Sequence, residues 1–115
     1  MGSRKREYEI AEIPFESRRE LFIETVEIMK STWKGEGTYQ GEFYSFDDAF
    51  QYPLPNEIPI WGGGSSPASV ARACELCDGW LPGRINMPSF RAGVKMLRKW
   101  AKEEQKPIPT VGAIP

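Results

Sequence analysis

Apolar residues recur at helical spacing in three stretches of the chain. Phe22, Val26, Met29 and Trp33 stand at i, i+4, i+7 and i+11, and Leu21, Thr25 and Ile28 widen the same face. Ser17 and Glu20 make an S-x-x-E pair ahead of it, the capping-box pattern that opens a helix, and Gly35 and Gly37 stop it. A second helix is predicted from Ser66, with Pro67 in the first helical position, where a missing N–H costs nothing. Val70, Ala73, Cys74 and Cys77 line one of its faces, and Gly79 reads as its left-handed cap. The third helix runs from about Pro88 to Gln105. Its stripe is Phe90, Val94, Leu97 and Ala101, widened by Met96 and Trp100, and Pro107 bars its extension.

Short apolar runs lie between these helices, at 58–61, 80–81 and 110–114. None alternates polar with apolar, which suits parallel strands covered on both faces. Helices and strands therefore alternate, and the pattern predicts an α/β fold with about three parallel strands and three main helices. The stretch 37–55 carries six aromatic residues and is closed by Pro53 and Pro55. It reads as a hairpin or a long ordered loop, because linkers are poor in aromatics. Its rings either pack against neighbouring helices or cover a cleft.

A length of 115 residues, with 40% hydrophobic and 27% charged, fits one soluble domain over 1–115. Residues 1–6 read as a tag or a disordered start, and they lack the apolar core of a signal peptide. The net charge of -1 gives no footprint for nucleic acid, and no apolar run is long enough to span a bilayer. A cytoplasmic location without nucleic-acid or membrane partners is the expectation. There is no histidine, so the commonest general base is missing. Cys74 and Cys77 fall late in a helix on its apolar face, away from the N-terminal position that activates a redox pair. Two thiols without histidine make only half a zinc site, so both read as small core residues and no metal is expected.

The sequence "PIWGGGSSPASVARACELCDGWLP" puts Gly62, Gly63 and Gly64 at a strand end and Ser65 and Ser66 at a helix start. In parallel α/β sheets ligands bind at the carboxyl ends of strands, and a helix N-terminus offers free N–H groups to a phosphate. The P-loop lysine is absent, and Pro67 breaks the dinucleotide fingerprint, so spacing alone leaves a phosphate seat and a plain tight turn both open.

That stretch resembles the luciferase-like monooxygenase family, which includes bacterial luciferase and deazaflavin-dependent oxidoreductases. The apolar-Gly-Gly strand end, the helix after it and Asp78-Gly79-Trp80 carry the likeness. "PFESRRELFIETVEIMKSTWKGE", "YQGEFYSF" and "FRAGVKMLRKWAKEEQKPIP" are similar to further family segments in the same order, although Gln105-Lys106 replaces the usual Gly-Arg. The resemblance runs from about Glu7 to Pro115.

The resemblance implies a partial TIM barrel, a middle-to-later part of a fold that takes about 250 residues. It implies a fragment of a flavin- or deazaflavin-dependent oxidoreductase or monooxygenase, inactive alone, with FMN or the deazaflavin coenzyme as cofactor. Gly63, Gly64, Ser65 and Ser66 are implied to hold its phosphate, and no catalytic residue is implied. Trp61 reads as barrel packing, Asp78 and Trp80 as structural, Arg84 as solvated, and the charges of 98–106 as a solvated helix face. The missing strands would come from another chain or another copy. The alternative is a non-catalytic module that self-associates through open sheet edges.

Overall fold

Helix α1 (Lys5–Ile10) and helix α2 (Arg18–Thr32) open the chain in the computed structural model, which describes residues 2–112. Two compact units follow one another, Met1–Ile58 and Pro59–Pro115. Lys5 and Arg6, read from sequence as part of a tag or disordered start, form the first turn of α1. This helix buries no residue, so it left no apolar periodicity to read. The capping box does not form. Ser17 has φ -88° and ψ 8°, not the extended backbone of an N-cap, and its side chain makes no cap bond. The chain is already turning there, with the N–H groups of Ser17 and Arg18 bonded to the carbonyls of Pro14 and Phe15.

Helix α2 buries Val26 as expected, and also Glu24 on a different face. Thr25, expected on the apolar face, is exposed, and its hydroxyl donates to the Leu21 carbonyl at 2.7 Å. The aromatic stretch is a hairpin at its start. Strands β1 (Tyr39–Gln40) and β2 (Ser45–Phe46) pair antiparallel, and Tyr39 stacks on Phe46 with centroids 6.0 Å apart. The Glu24 carboxylate accepts the N–H groups of Glu42, Phe43 and Tyr44 at 2.5–3.1 Å. A Cβ at Gly41 would lie 2.5 Å from that carboxylate, so glycine is required for the approach. Further along, Phe50 and Tyr52 stack on one another and stay exposed.

The second unit alternates β3 (Trp61–Gly63), α3 (Pro67–Leu76), β4 (Gly79–Leu81), α4 (Met87–Glu104) and β5 (Thr110–Val111). Its strands are parallel in the order β3-β4-β5. The α/β class, the three parallel strands and the three main helices agree with the sequence reading. The register aligns Gly62, Trp80 and Val111 on one face, and Trp61, Gly79 and Thr110 on the other. Helices α3 and α4 cover the first face. Val70, Ala73, Cys74, Trp80 and Leu97 form its core, joined by Phe90, Val94, Trp100 and Val111. Fully burying such side chains stabilises by about 1.5–3 kcal/mol each.

Three boundaries differ from the sequence reading. Strand β3 starts at Trp61 and continues into the glycines, whereas 58–61 was predicted. The Asp78 carboxylate takes the Ile60 N–H at 2.8 Å, and the Ile60 carbonyl takes the N–H groups of Asp78 and Gly79, so pairing begins only after Ile60. Gly79 is a strand residue, not a left-handed cap. Cys77 is already extended, at φ -120° and ψ 158°, and the space beside Gly79 is filled by the Trp61 ring, 2.6 Å from where a Cβ would sit. Helix α4 starts at Met87, capped by the Asn86 side chain, which accepts the Ser89 N–H at 2.9 Å. Of the run 110–114, Thr110–Val111 is strand, and positions 113 and 114 lie outside the described residues. Among the described residues no helix is long and apolar enough to cross a membrane.

Candidate functional site

The three glycines at the end of β3 serve three different ends. Gly62 faces α3, and a Cβ there would lie 3.0 Å from Cys77 Sγ and 3.1 Å from Ala73 Cβ, so it lets the helix sit close on the sheet. Gly63 is exposed and faces open space; its nearest neighbour would be the Leu81 carbonyl oxygen at 3.8 Å. Gly64 has φ +113°, and a Cβ there would lie 2.5 Å from Ser69 Oγ. Gly64 makes the turn; Gly62 and Gly63 belong to the strand.

The turn is fixed from both sides. The Trp80 indole donates to the Gly64 carbonyl at 2.8 Å. Ser66 has the extended backbone of an N-cap, and its Oγ accepts the Ser69 N–H at 3.2 Å, as its position before Pro67 predicted. Ser66 Oγ and Ser69 Oγ lie 2.8 Å apart, and Arg72 Nη2 donates to Ser69 Oγ at 3.2 Å. Ser69 and Arg72 are buried, so this hydroxyl pair is held from beneath. The sequence reading did not pick out Ser69 or Arg72, which carry no local motif.

Gly63, Ser65, Ser66 and Ala68 are exposed, and Gly64 is half-buried. The N–H groups of Ser65, Ser66 and Ala68 meet no acceptor among the described residues. Pro67 contributes no N–H, and the first turn of α3 has no acidic residue to neutralise the helix dipole. Beside the turn lies a cleft of about 130 Å³, lined by Ser65, Pro67 and Val70 on one side and Ser89, Gly93 and Met96 on the other. An anion at this end would find N–H donors, a hydroxyl and an uncompensated dipole.

Apart from Trp80, whose indole reaches Gly64, the remaining sequence candidates lie away from the turn. Asp78 bonds Ile60, and Trp80 is fully buried, stacked on Phe90 at 5.8 Å; Gly93 admits its ring, which a Cβ would approach to 2.5 Å. Trp61 lies across Gly79 and Gly112 on the face away from the helices and is 43% exposed. Arg84 is exposed. Cys74 is buried, and burial, reinforced by Glu75, pushes its thiol up from the usual range, which keeps it protonated and inert. In the first unit Tyr39 donates to Glu27 at 2.9 Å; partial burial and that carboxylate push its hydroxyl up to about 12.

A family model described as luciferase-like monooxygenase matches residues 1–114. The chain is similar to the F420-dependent glucose-6-phosphate dehydrogenase of Nakamurella multipartita, at 35% identity over 69 residues, covering 58% of this chain and 20% of that protein. It is similar to the enzyme of the same name from Microbacterium testaceum, at 37% identity over 60 residues, covering 50% of this chain and 18% of that protein. The matched part thus amounts to about a fifth of the length of these curated relatives.

Proposed function

The chain belongs to the luciferase-like monooxygenase family, and we propose that it is part of a deazaflavin-dependent oxidoreductase whose coenzyme phosphate sits on Gly63, Gly64, Ser65 and Ser66. The observation that carries the reading is the turn itself: a left-handed Gly64, a capped Ser66, and the unengaged N–H groups of Ser65, Ser66 and Ala68 at the carboxyl end of a parallel strand. A deazaflavin is favoured over FMN because both relatives carry F420 in their names. The three strands, with helices on one face, then form one sector of a (β/α)₈ barrel.

The residues of the turn fit a phosphate and not a ring system. The adjoining cleft of about 130 Å³ is small beside the roughly 300–1,000 Å³ of sites that enclose a small molecule. A bound deazaflavin supplies hydride transfer. The part of this chain is to hold the phosphate end through backbone N–H groups and the Ser65 hydroxyl, and so to orient the coenzyme; no acid or base is assigned to it. Among the described residues the outer edges of β3 and β5 are unpaired, which favours a second reading, a module that self-associates by edge pairing and catalyses nothing.

Titration of the deazaflavin coenzyme and of FMN, followed by fluorescence, tests the proposal with Gly64→Val beside the parent. Weak binding, with the deazaflavin preferred and lost in Gly64→Val, is the expected result. Binding unchanged by Gly64→Val removes the turn from the site.

A further inference from the structure

Helix α4 carries a cationic stripe that neither the core nor the turn uses. Arg91, Lys95, Arg98 and Lys102 recur at i, i+4, i+7 and i+11, so they share one narrow face over roughly 16 Å of helix. All four are exposed, and they lie well round the helix from buried Gly93, Leu97 and Ala101. None makes an ion pair among the described residues; the helix's one pair there, Lys99 with Glu103, lies beside the stripe. Local physics disfavours this arrangement. Like charges at i, i+4 repel, and Arg91 stands in the second turn, near the positive end of the helix dipole.

The compensating charge is in the same chain. Residues 1–58 hold twelve acidic and seven basic residues, a net of -5, and residues 59–115 hold four acidic and eight basic, a net of +4. Eleven of the twelve acidic residues in the first half are exposed, Glu24 being the exception. A net charge of -1 gives polyanions little overall attraction, and the opposite charges of the two halves are complementary. We propose that the Arg91–Lys95–Arg98–Lys102 face of α4 docks the acidic first half of a second copy of this chain. The contact is head-to-tail and electrostatic, and it is independent of the sheet edges and of the coenzyme turn.

Sedimentation velocity over a concentration series tests this in about 0.01 M and about 1 M salt, between which the screening length falls from about 30 to about 3 Å. The expected result is concentration-dependent association at low salt, weakened at least about tenfold at high salt and in Lys95→Glu/Arg98→Glu. Circular dichroism shows whether that variant keeps its helix, and Lys95→Gln/Arg98→Gln, with a smaller loss, serves as a milder second variant. Association that persists in high salt and in both variants assigns self-pairing to the sheet edges and overturns the proposal. A chain that stays monomeric at every concentration overturns it too, and so does binding to a short DNA duplex or to anionic vesicles without self-association.

Discussion

The indole Nε1 of Trp80 donates a 2.8 Å hydrogen bond to the carbonyl oxygen of Gly64. Trp80 is the fully buried centre of the core, and Gly64 is the left-handed residue of the turn, so core packing sets the shape of the turn. Trp80→Phe keeps an aromatic ring against Phe90 and removes the donor. It is expected to lower stability in urea unfolding by about 1–3 kcal/mol, through the lost hydrogen bond to a half-buried carbonyl and the smaller ring in the core. Amide exchange at Ser69 and Val70, both bonded to Ser66, should quicken with it. Unchanged exchange would show that the Ser66 cap holds the turn alone.

Gly63 and Gly64 are adjacent, and alanine should separate them. Gly64→Ala meets a positive φ and the Ser69 side chain together and should cost about 1–3 kcal/mol. Gly63→Ala points into open space and should be neutral or stabilise by up to about 0.5–1 kcal/mol, as alanine does over glycine in a strand. Thermal melts of the two variants decide it; equal losses would contradict the geometry of the turn.

Removal of the Glu24 carboxylate strands three N–H groups of the hairpin. Glu24→Ala should cost at least about 1.5–3 kcal/mol and dull the near-ultraviolet dichroism of the stacked Tyr39 and Phe46. Glu24→Gln keeps an acceptor oxygen and should cost less. If Glu24→Ala unfolds in urea as the parent does, the carboxylate is not what holds the hairpin.

Tyr39 gives the fold an alkaline limit. Its hydroxyl is raised from 10 to about 12 by partial burial first, and then by Glu27, to which it donates. The folded chain therefore holds this proton more tightly than the unfolded chain does. The associated stability is complete below about pH 10 and is lost as pH rises toward about 12. Tyrosinate absorbance should show a late step that Tyr39→Phe removes. A late step retained in that variant would assign it to another phenol.

The second helix and its cap were legible because Ser66, Pro67 and the apolar face from Val70 to Cys74 all point the same way. The third was legible because Phe90, Val94, Leu97 and Ala101 keep their period over about three turns. The failures share one cause: a neighbour distant in sequence decided the matter. Gly79 looks like a helix terminator until Trp61 is laid over it, and Gly93 looks accidental until Trp80 arrives. Glu24 reads as an ordinary surface carboxylate because the amides it binds lie 18–20 residues away. The Ser17–Glu20 motif was present, but the turn running from Pro14 had already fixed the backbone. Of the turn's four candidate residues, Gly64 and Ser66 carried their local geometry in sequence, through the need for a bare residue and a cap. The support from Ser69, Arg72 and Trp80 had no local signature.

Trp61 lies 43% exposed over a floor of glycines, while Trp80, on the opposite face of the same sheet, is sealed from solvent. The two indoles thus report on different surroundings. A small ionic quencher dissolved in the buffer can reach the first and not the second. Whatever settles on the glycine floor, whether a ring, a loop or a neighbouring strand, will shield Trp61 from that quencher and leave Trp80 as it was. The sheet carries its own gauge of whether its bare side has been covered.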